Sequence, residues 1–260
     1  KKTAICSACV ACITSPIYLA QSSYYSMNSI DFLLWNTLIY LLIKLKQTQN
    51  PKMWIWIGIV LGFSLMNKIG IIWFGTGLFI SLLLTNERHW LATRWPYIAA
   101  VIAFVFFLPY VLWNASHDWA MLEFMESARN KYRSETPLSF LTGQILINNP
   151  LNILVWIPGI IYFIYLDKAR KALGLFIIFL TVISILLINV HSKPEYLAPI
   201  FGVLFVGGAL AIETCSAGRK WLAFTIIAFQ LSVLVLVPLA IPIFPVKSHV
   251  NFSERLGIAL

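Results

Sequence analysis

Leu61-Gly62-Phe63-Ser64-Leu65-Met66-Asn67-Lys68-Ile69-Gly70-Ile71-Ile72 lies in the middle of a long apolar stretch, 51 to 85, with no strong helix breaker except glycine. Read as one helix crossing a membrane, it buries the Lys68 ammonium in hydrocarbon at a cost of about 3 kcal/mol or more. Read as two helices joined by a tight turn, it brings Lys68 to the membrane surface. The choice fixes the side on which every later loop lies, and so the topology of the chain.

The rest of the composition agrees with a membrane setting. The chain has 260 residues, of which 60% are hydrophobic and 11% charged, and its mean hydropathy is +0.82. Soluble domains carry about a quarter charged residues, so the class is all-α: a polytopic helical membrane protein. A net charge of +9 is explained by basic residues that anchor spans on the cytoplasmic side, without nucleic acid as a partner. Cys6, Cys9 and Cys12 have a ligand-like spacing. They sit at helical periodicity in an apolar run with no histidine or acid beside them, which predicts buried, inert residues. Lys1-Lys2 before that run resembles a signal anchor, but the chain has no initiator Met and no cleavage pattern, so a fragment or a reading frame without its start is expected.

About nine spans are expected: 3–19, 30–45, 51–66, 69–85, 95–113, 151–166, 172–190, 196–213 and 221–244. Between the first two lies a polar loop, Gln21 to Asp31, without a basic residue. The longest polar region runs from Asn114 to Pro150. In it, Trp119, Leu122, Phe124 and Met125 are spaced for a helix lying in the interfacial plane, and Pro137 to Ile147 for a second. The expected organisation is a transmembrane domain over 1–246 and the start of an extracytoplasmic tail over 247–260.

Charge decides between the two readings of 51–85. With a turn at Lys68 and Lys1 inside, twelve basic residues and three acids fall inside, against seven and seven outside. A single crossing moves every later loop to the other side and almost abolishes this bias, so the two-helix reading is the one that obeys the positive-inside rule. The outer face then holds Asp31, Lys68, the polar region after Asn114, and His191 to Tyr196. Nucleotide sugars and ATP are absent there, so a group transfer needs a donor that the membrane itself delivers.

Several residues are candidates for that chemistry. Asp31 stands where a loop enters a helix, as a cap or as an acid that binds a hydroxyl, an amine or a divalent metal. Lys68 is either a snorkelling lysine or a contact for an anionic head group. In His191-Ser192-Lys193-Pro194-Glu195-Tyr196, Lys193 is a point charge for phosphate, His191 adds a hydrogen bond, and Tyr196 has a ring suited to head-group level. Arg129, Lys131 and Arg133 form a modest basic cluster for anionic lipid or a leaving phosphate. His117-Asp118 is a weak acid–base or metal pair, and Tyr24 and Asn28 line the first polar loop. The chain has no Walker loop, dinucleotide fingerprint, zincin helix or nucleophile elbow, which argues against ATP-driven transport and the common soluble hydrolases.

Four stretches taken in order carry a resemblance: Tyr24 to Asp31, Trp56 to Lys68, Phe107-Leu108-Pro109-Tyr110-Val111-Leu112-Trp113, and Lys193-Pro194-Glu195-Tyr196-Leu197-Ala198-Pro199. Together they resemble the protein O-mannosyltransferase and aminoarabinose transferase family, polytopic glycosyltransferases with a membrane-embedded C-type fold. The resemblance implies a polyprenyl-phosphate-linked sugar donor, a lipid, glycan or protein acceptor, and a multi-pass protein of the bacterial inner membrane whose active face is extracytoplasmic. The family's main acid lies in a first extracytoplasmic loop after a first span. This chain lacks that acidic loop and resembles the family truncated at its N-terminus. Asp31 then matches the later acid at the mouth of a span, Lys68 the lysine ending the glycine-rich helix, and Lys193 with Tyr196 the donor-phosphate side. No resident cofactor is assigned, a divalent metal remaining an open alternative. Two other readings stand beside this one: a polyprenyl-lipid or polysaccharide flippase, and a non-catalytic membrane assembly protein.

Overall fold

In the computed structural model the described residues are 2–131, 136–166, 172–216, 220–241 and 243–255. They form fourteen α-helices, short 3-10 turns and connecting segments, and no strand. In order these are α1 (Lys2–Ile13), α2 (Pro16–Ser22), α3 (Met27–Thr48), α4 (Met53–Asn67), α5 (Ile71–Leu84), α6 (Trp95–Ser116), α7 (Ala120–Lys131), α8 (Pro137–Ile147), α9 (Ile153–Tyr165), α10 (Leu173–Ile188), α11 (Ala198–Cys215), α12 (Lys220–Ser232), α13 (Val237–Ala240) and α14 (Val246–Arg255). An all-helical chain is what an apolar solvent demands, because each helix satisfies its own backbone polar groups.

Two helices are long and apolar enough to cross a membrane by themselves: Trp95–Ser116, and Pro194–Cys215, which joins a 3-10 turn to α11. Counting two bent pairs as single spans, α1 with α2 and α8 with the Pro150–Tyr165 stretch, gives up to four. The other apolar helices are shorter, among them α4, α5 and α10.

The chain divides into two units. The second holds residues 30–140 and 170–200. Within it α4 packs on α6 and α5 on α10. Glycine makes the first contact close: a Cβ on Gly58 would lie 2.7 Å from the Ala99 backbone, and one on Gly62, a turn later, 2.7 Å from the Phe106 side chain. Small residues four apart let membrane helices approach this closely. Gly77 meets Ile178 of α10 in the same way, at 3.0 Å. The stretch 51–85 is two helices, parted at Lys68 in extended backbone (φ −158°, ψ 123°), as the charge distribution requires. Lys46, in the last turn of α3, and Glu87, in the 3-10 turn after α5, which the charge count puts on one side, form an ion pair at 3.0 Å.

α6 ends in an elbow built around Asn114, which is buried. Its carbonyl accepts from Trp119 N–H at 2.8 Å, its Oδ1 accepts from Met121 N–H at 3.1 Å, and its Nδ2 donates to Tyr110 O. Those bonds hold Asp118 and Trp119 at positive φ, 51° and 57°, a conformation that bulky residues rarely adopt. α7 starts there, and Trp119, Leu122, Phe124 and Met125 are all exposed.

The first unit holds residues 1–29, 141–169 and 201–260. Two of its helix breaks meet in one buried network. α1 and α2 bend by 63°, α8 and the next helical stretch by 99°. Asn152 Nδ2 donates to the Ala11 and Asn148 carbonyls and to Ser15 Oγ, at 2.9, 2.7 and 3.0 Å. Asn152 Oδ1 accepts from Gln230 Nε2 at 2.7 Å. Asn149 takes positive φ, 67°, and its Oδ1 accepts from Leu151 N–H. Side-chain amides thus take over where the backbone ladder is interrupted.

Three sequence expectations change here. Cys6 and Cys9 are exposed and Cys12 is half-buried, because α1 turns Ala4, Ser7 and Ala11 inward instead. The polar loop at Gln21 to Asp31 shrinks to residues 23–26, since α2 runs to Ser22 and α3 starts at Met27. The last expected span, 221–244, is interrupted by a 3-10 turn at Val233–Leu236 and its helix ends at Ala240. Pro238, inside that stretch, offers no N–H to continue the ladder.

The glycine contacts give a paired expectation. Gly58→Ala lowers stability in detergent by about 2 kcal/mol through overpacking against α6. Gly75→Ala, with nothing within 4 Å of its Cβ, is neutral or gains up to about 1 kcal/mol in helix propensity. Thermal unfolding of both variants measures the contrast.

Candidate active site

The start of α3 is secured by hydroxyls. Ser26 Oγ accepts from Asn28 N–H at 3.2 Å, and Ser29 Oγ donates to the Tyr24 and Ser26 carbonyls at 3.0 Å. Asp31 is therefore not the cap, and the first turn contains no acid. It comes one turn later, 4% exposed.

A carboxylate this deep requires partners, since an ion removed from water is costly unless paired and hydrogen-bonded. Asp31 has both. Oδ1 accepts from Trp35 Nε1 at 2.9 Å, and Oδ2 lies 3.6 Å from Lys68 Nζ. Lys68 reaches it from the end of α4, where its own N–H donates to Ser64 O at 2.8 Å. The ammonium also sits 5.0 Å from the centre of the Tyr196 ring, within cation–π range. Tyr196, in the 3-10 turn Pro194–Leu197, meets Trp73 with ring centres 6.0 Å apart. Trp35 stands edge-on to Phe74 at 5.2 Å. One unit thus brings together an acid, a cation and four aromatic rings, of which Tyr196 and Trp73 are half-buried and Trp35 and Phe74 buried.

The sequence candidates divide accordingly. Asp31, Lys68 and Tyr196 converge. Lys193 is half-buried on the same short turn, its carbonyl accepting from Tyr196 N–H at 3.0 Å. His191, also half-buried, has a buried Nδ1 without a hydrogen-bond partner. His117 is occupied by its own helix: Nδ1 lies 2.8 Å from Trp113 O, and the ring stacks on Trp113 at 4.2 Å. Arg129 is exposed on α7. Arg133 lies outside the described residues. Tyr24, exposed, and Asn28, half-buried, belong to the first unit, and Tyr24 OH donates to Gln21 Oε1 at 3.1 Å.

Trp35 and Trp73 were not among the sequence candidates. The spacing of Asp31 and Trp35, four apart on a helix, places them on one face. Nothing in the sequence sets Trp73 beside Tyr196. Among the described residues no group of three or more His, Cys, Asp or Glu side chains could hold a metal ion. A divalent cation at Asp31 would also meet the Lys68 ammonium, so this pair does not fit a metal.

Residues 1–113 match the family described as dolichyl-phosphate-mannose-protein mannosyltransferase. The first 113 of the 260 residues are thus similar to that family. The match covers Asp31, Trp35, Lys68 and Trp73, bears out the resemblance seen in the sequence, and points to glycosyltransferase activity. No curated protein and no solved structure matches.

The ion pair has a measurable signature. Lys68→Met leaves the buried carboxylate uncompensated and lowers stability by about 3 kcal/mol. Adding Asp31→Asn to that variant recovers most of the loss, because the amide keeps an acceptor for Trp35 without a charge. A double-mutant cycle read by unfolding in detergent checks this.

Proposed function

We propose that this protein is a membrane glycosyltransferase that moves a sugar from a polyprenyl-phosphate donor to a lipid, glycan or protein acceptor on the extracytoplasmic face of a bacterial inner membrane. The observation that carries the reading is the Asp31–Lys68 ion pair beside the Tyr196 ring, both charged members of which lie in the stretch that matches the mannosyltransferase family. In this reading the chain crosses the membrane about nine times, in a C-type glycosyltransferase arrangement. The start of α3, the end of α4 and the turn before α11 then share one face, and the charge distribution supports placing it outside.

The chemistry is an inverting displacement. The acceptor's nucleophilic atom bonds to the anomeric carbon as the bond from that carbon to the phosphate oxygen breaks, and polyprenyl phosphate departs. Lys68, with Lys193 on the neighbouring turn, stabilises the charge that collects on the leaving phosphate. Asp31 orients the acceptor through a hydrogen bond and takes its proton as the new bond forms. The rings of Tyr196 and Trp73 provide an apolar wall that keeps water away.

One observation favours a second reading, a lipid or polysaccharide flippase. The first unit contains the buried network of Thr14, Ser15, Asn148, Asn149, Asn152 and Gln230, polar groups of the kind that line a translocation path. Flipping and transfer separate cleanly by experiment: a flippase moves the lipid-linked sugar between leaflets and leaves the glycosidic bond intact.

The deciding experiment uses purified full-length protein in lipid nanodiscs with a polyprenyl-phosphate sugar. Asp31→Asn lowers kcat by about a hundredfold or more, while Lys68→Ala and Lys193→Ala raise the KM for the donor. Absence of donor binding together with unchanged transfer by Lys193→Ala would sink the reading.

A further inference from the structure

We infer that Trp35 is a positioning residue for the Asp31 carboxylate, an assignment that rests on the glycosyl-transfer reading of that acid. Indole has one hydrogen-bond donor and no acceptor. In Trp35 that donor is committed to Asp31 Oδ1 at 2.9 Å. The ring cannot swing away, because it is 1% exposed and stands at 78° to Phe74, which is itself fully buried. With one oxygen held, the carboxylate plane is fixed and Oδ2 is the atom turned toward Lys68.

Packing alone does not require this arrangement. A phenylalanine would fill the same position against Phe74 with no polar group to satisfy. The chain also tolerates buried indoles without partners, since Nε1 of Trp54, Trp90 and Trp156 has no hydrogen-bond acceptor. The indole that does find an acceptor finds the acid of the candidate site. A carboxylate free to rotate about its last bond would present either oxygen, or both edges, to the lysine and to the acceptor. Holding it removes that freedom before the acceptor arrives, which is how an orienting contact contributes to rate.

Trp35→Phe keeps the ring contact and removes only the N–H. In the nanodisc assay its kcat falls by about tenfold while KM for the donor stays within about twofold, since no substrate contact is lost. The loss disappears in an Asp31→Asn background, because the two residues act as one unit. Trp35→His, which restores a donor, recovers part of the rate, an outcome that a purely structural role does not give. Wild-type kcat in Trp35→Phe, or an equal loss with and without Asp31→Asn, overturns the assignment. The infrared carboxylate band of Asp31, located by difference against Asp31→Asn, gives a reading that needs no turnover: it moves in Trp35→Phe, and a stationary band also overturns the assignment. Wild-type protein that transfers no sugar while the band still moves removes the transfer reading but leaves the contact in place.

Discussion

Among the described residues, the helix breaks after α1, α4, α6 and α8 are each covered by side chains that take up the hydrogen bonds or charge the backbone no longer handles. That is the central constraint on a chain this apolar, because hydrocarbon offers no substitute for water. At the bend after α1 and at the break after α8, Asn152 joins both interruptions through three bonds and adds a fourth to Gln230 of α12. At the end of α6, Asn114 plays the same part. At the end of α4 the covering group is an ion pair, and there the requirement of stability coincides with a chemically useful site.

That coincidence explains why the site is built as it is. A lone lysine at a helix end in a membrane snorkels outward. Lys68 is drawn inward by a buried carboxylate and held against an aromatic face. The pair is thus held by its own neighbours, Asp31 in the second turn of α3 and Lys68 just after the end of α4. Glycine-mediated contacts set those ends: α4 is fixed against α6 at Gly58 and Gly62, and α5 against α10 at Gly77.

Much of this was legible in the sequence, for identifiable reasons. The parting of α4 from α5 at Lys68 followed from the cost of a buried lysine and from the charge bias summed over all the loops, both of which need only composition and order. The nearness of Asp31, Lys68 and Tyr196 was reachable because residues near the ends of apolar helices have few other polar groups to meet. The amide network around Asn152 was not legible, since it joins residues up to 141 apart in the chain and asparagine carries no periodic signal. The exposed face of the Cys6-Cys9-Cys12 run was missed for a related reason. α1 is apolar all round, so its buried side is chosen by alanine and serine contacts that no pattern of hydrophobicity distinguishes.

α6 contains 22 residues, and only 17% of its most apolar window is buried within the protein. At 1.5 Å per residue it is about 33 Å long, close to the thickness of a bilayer's hydrocarbon core. The lipid annulus is therefore one of its packing partners, and a thinner bilayer obliges it to tilt. Because α4 touches α6 backbone to backbone at Gly58, such a tilt has no soft layer of side chains in which to dissipate. Membrane thickness becomes a mechanical input to the helix whose last residue abuts Lys68.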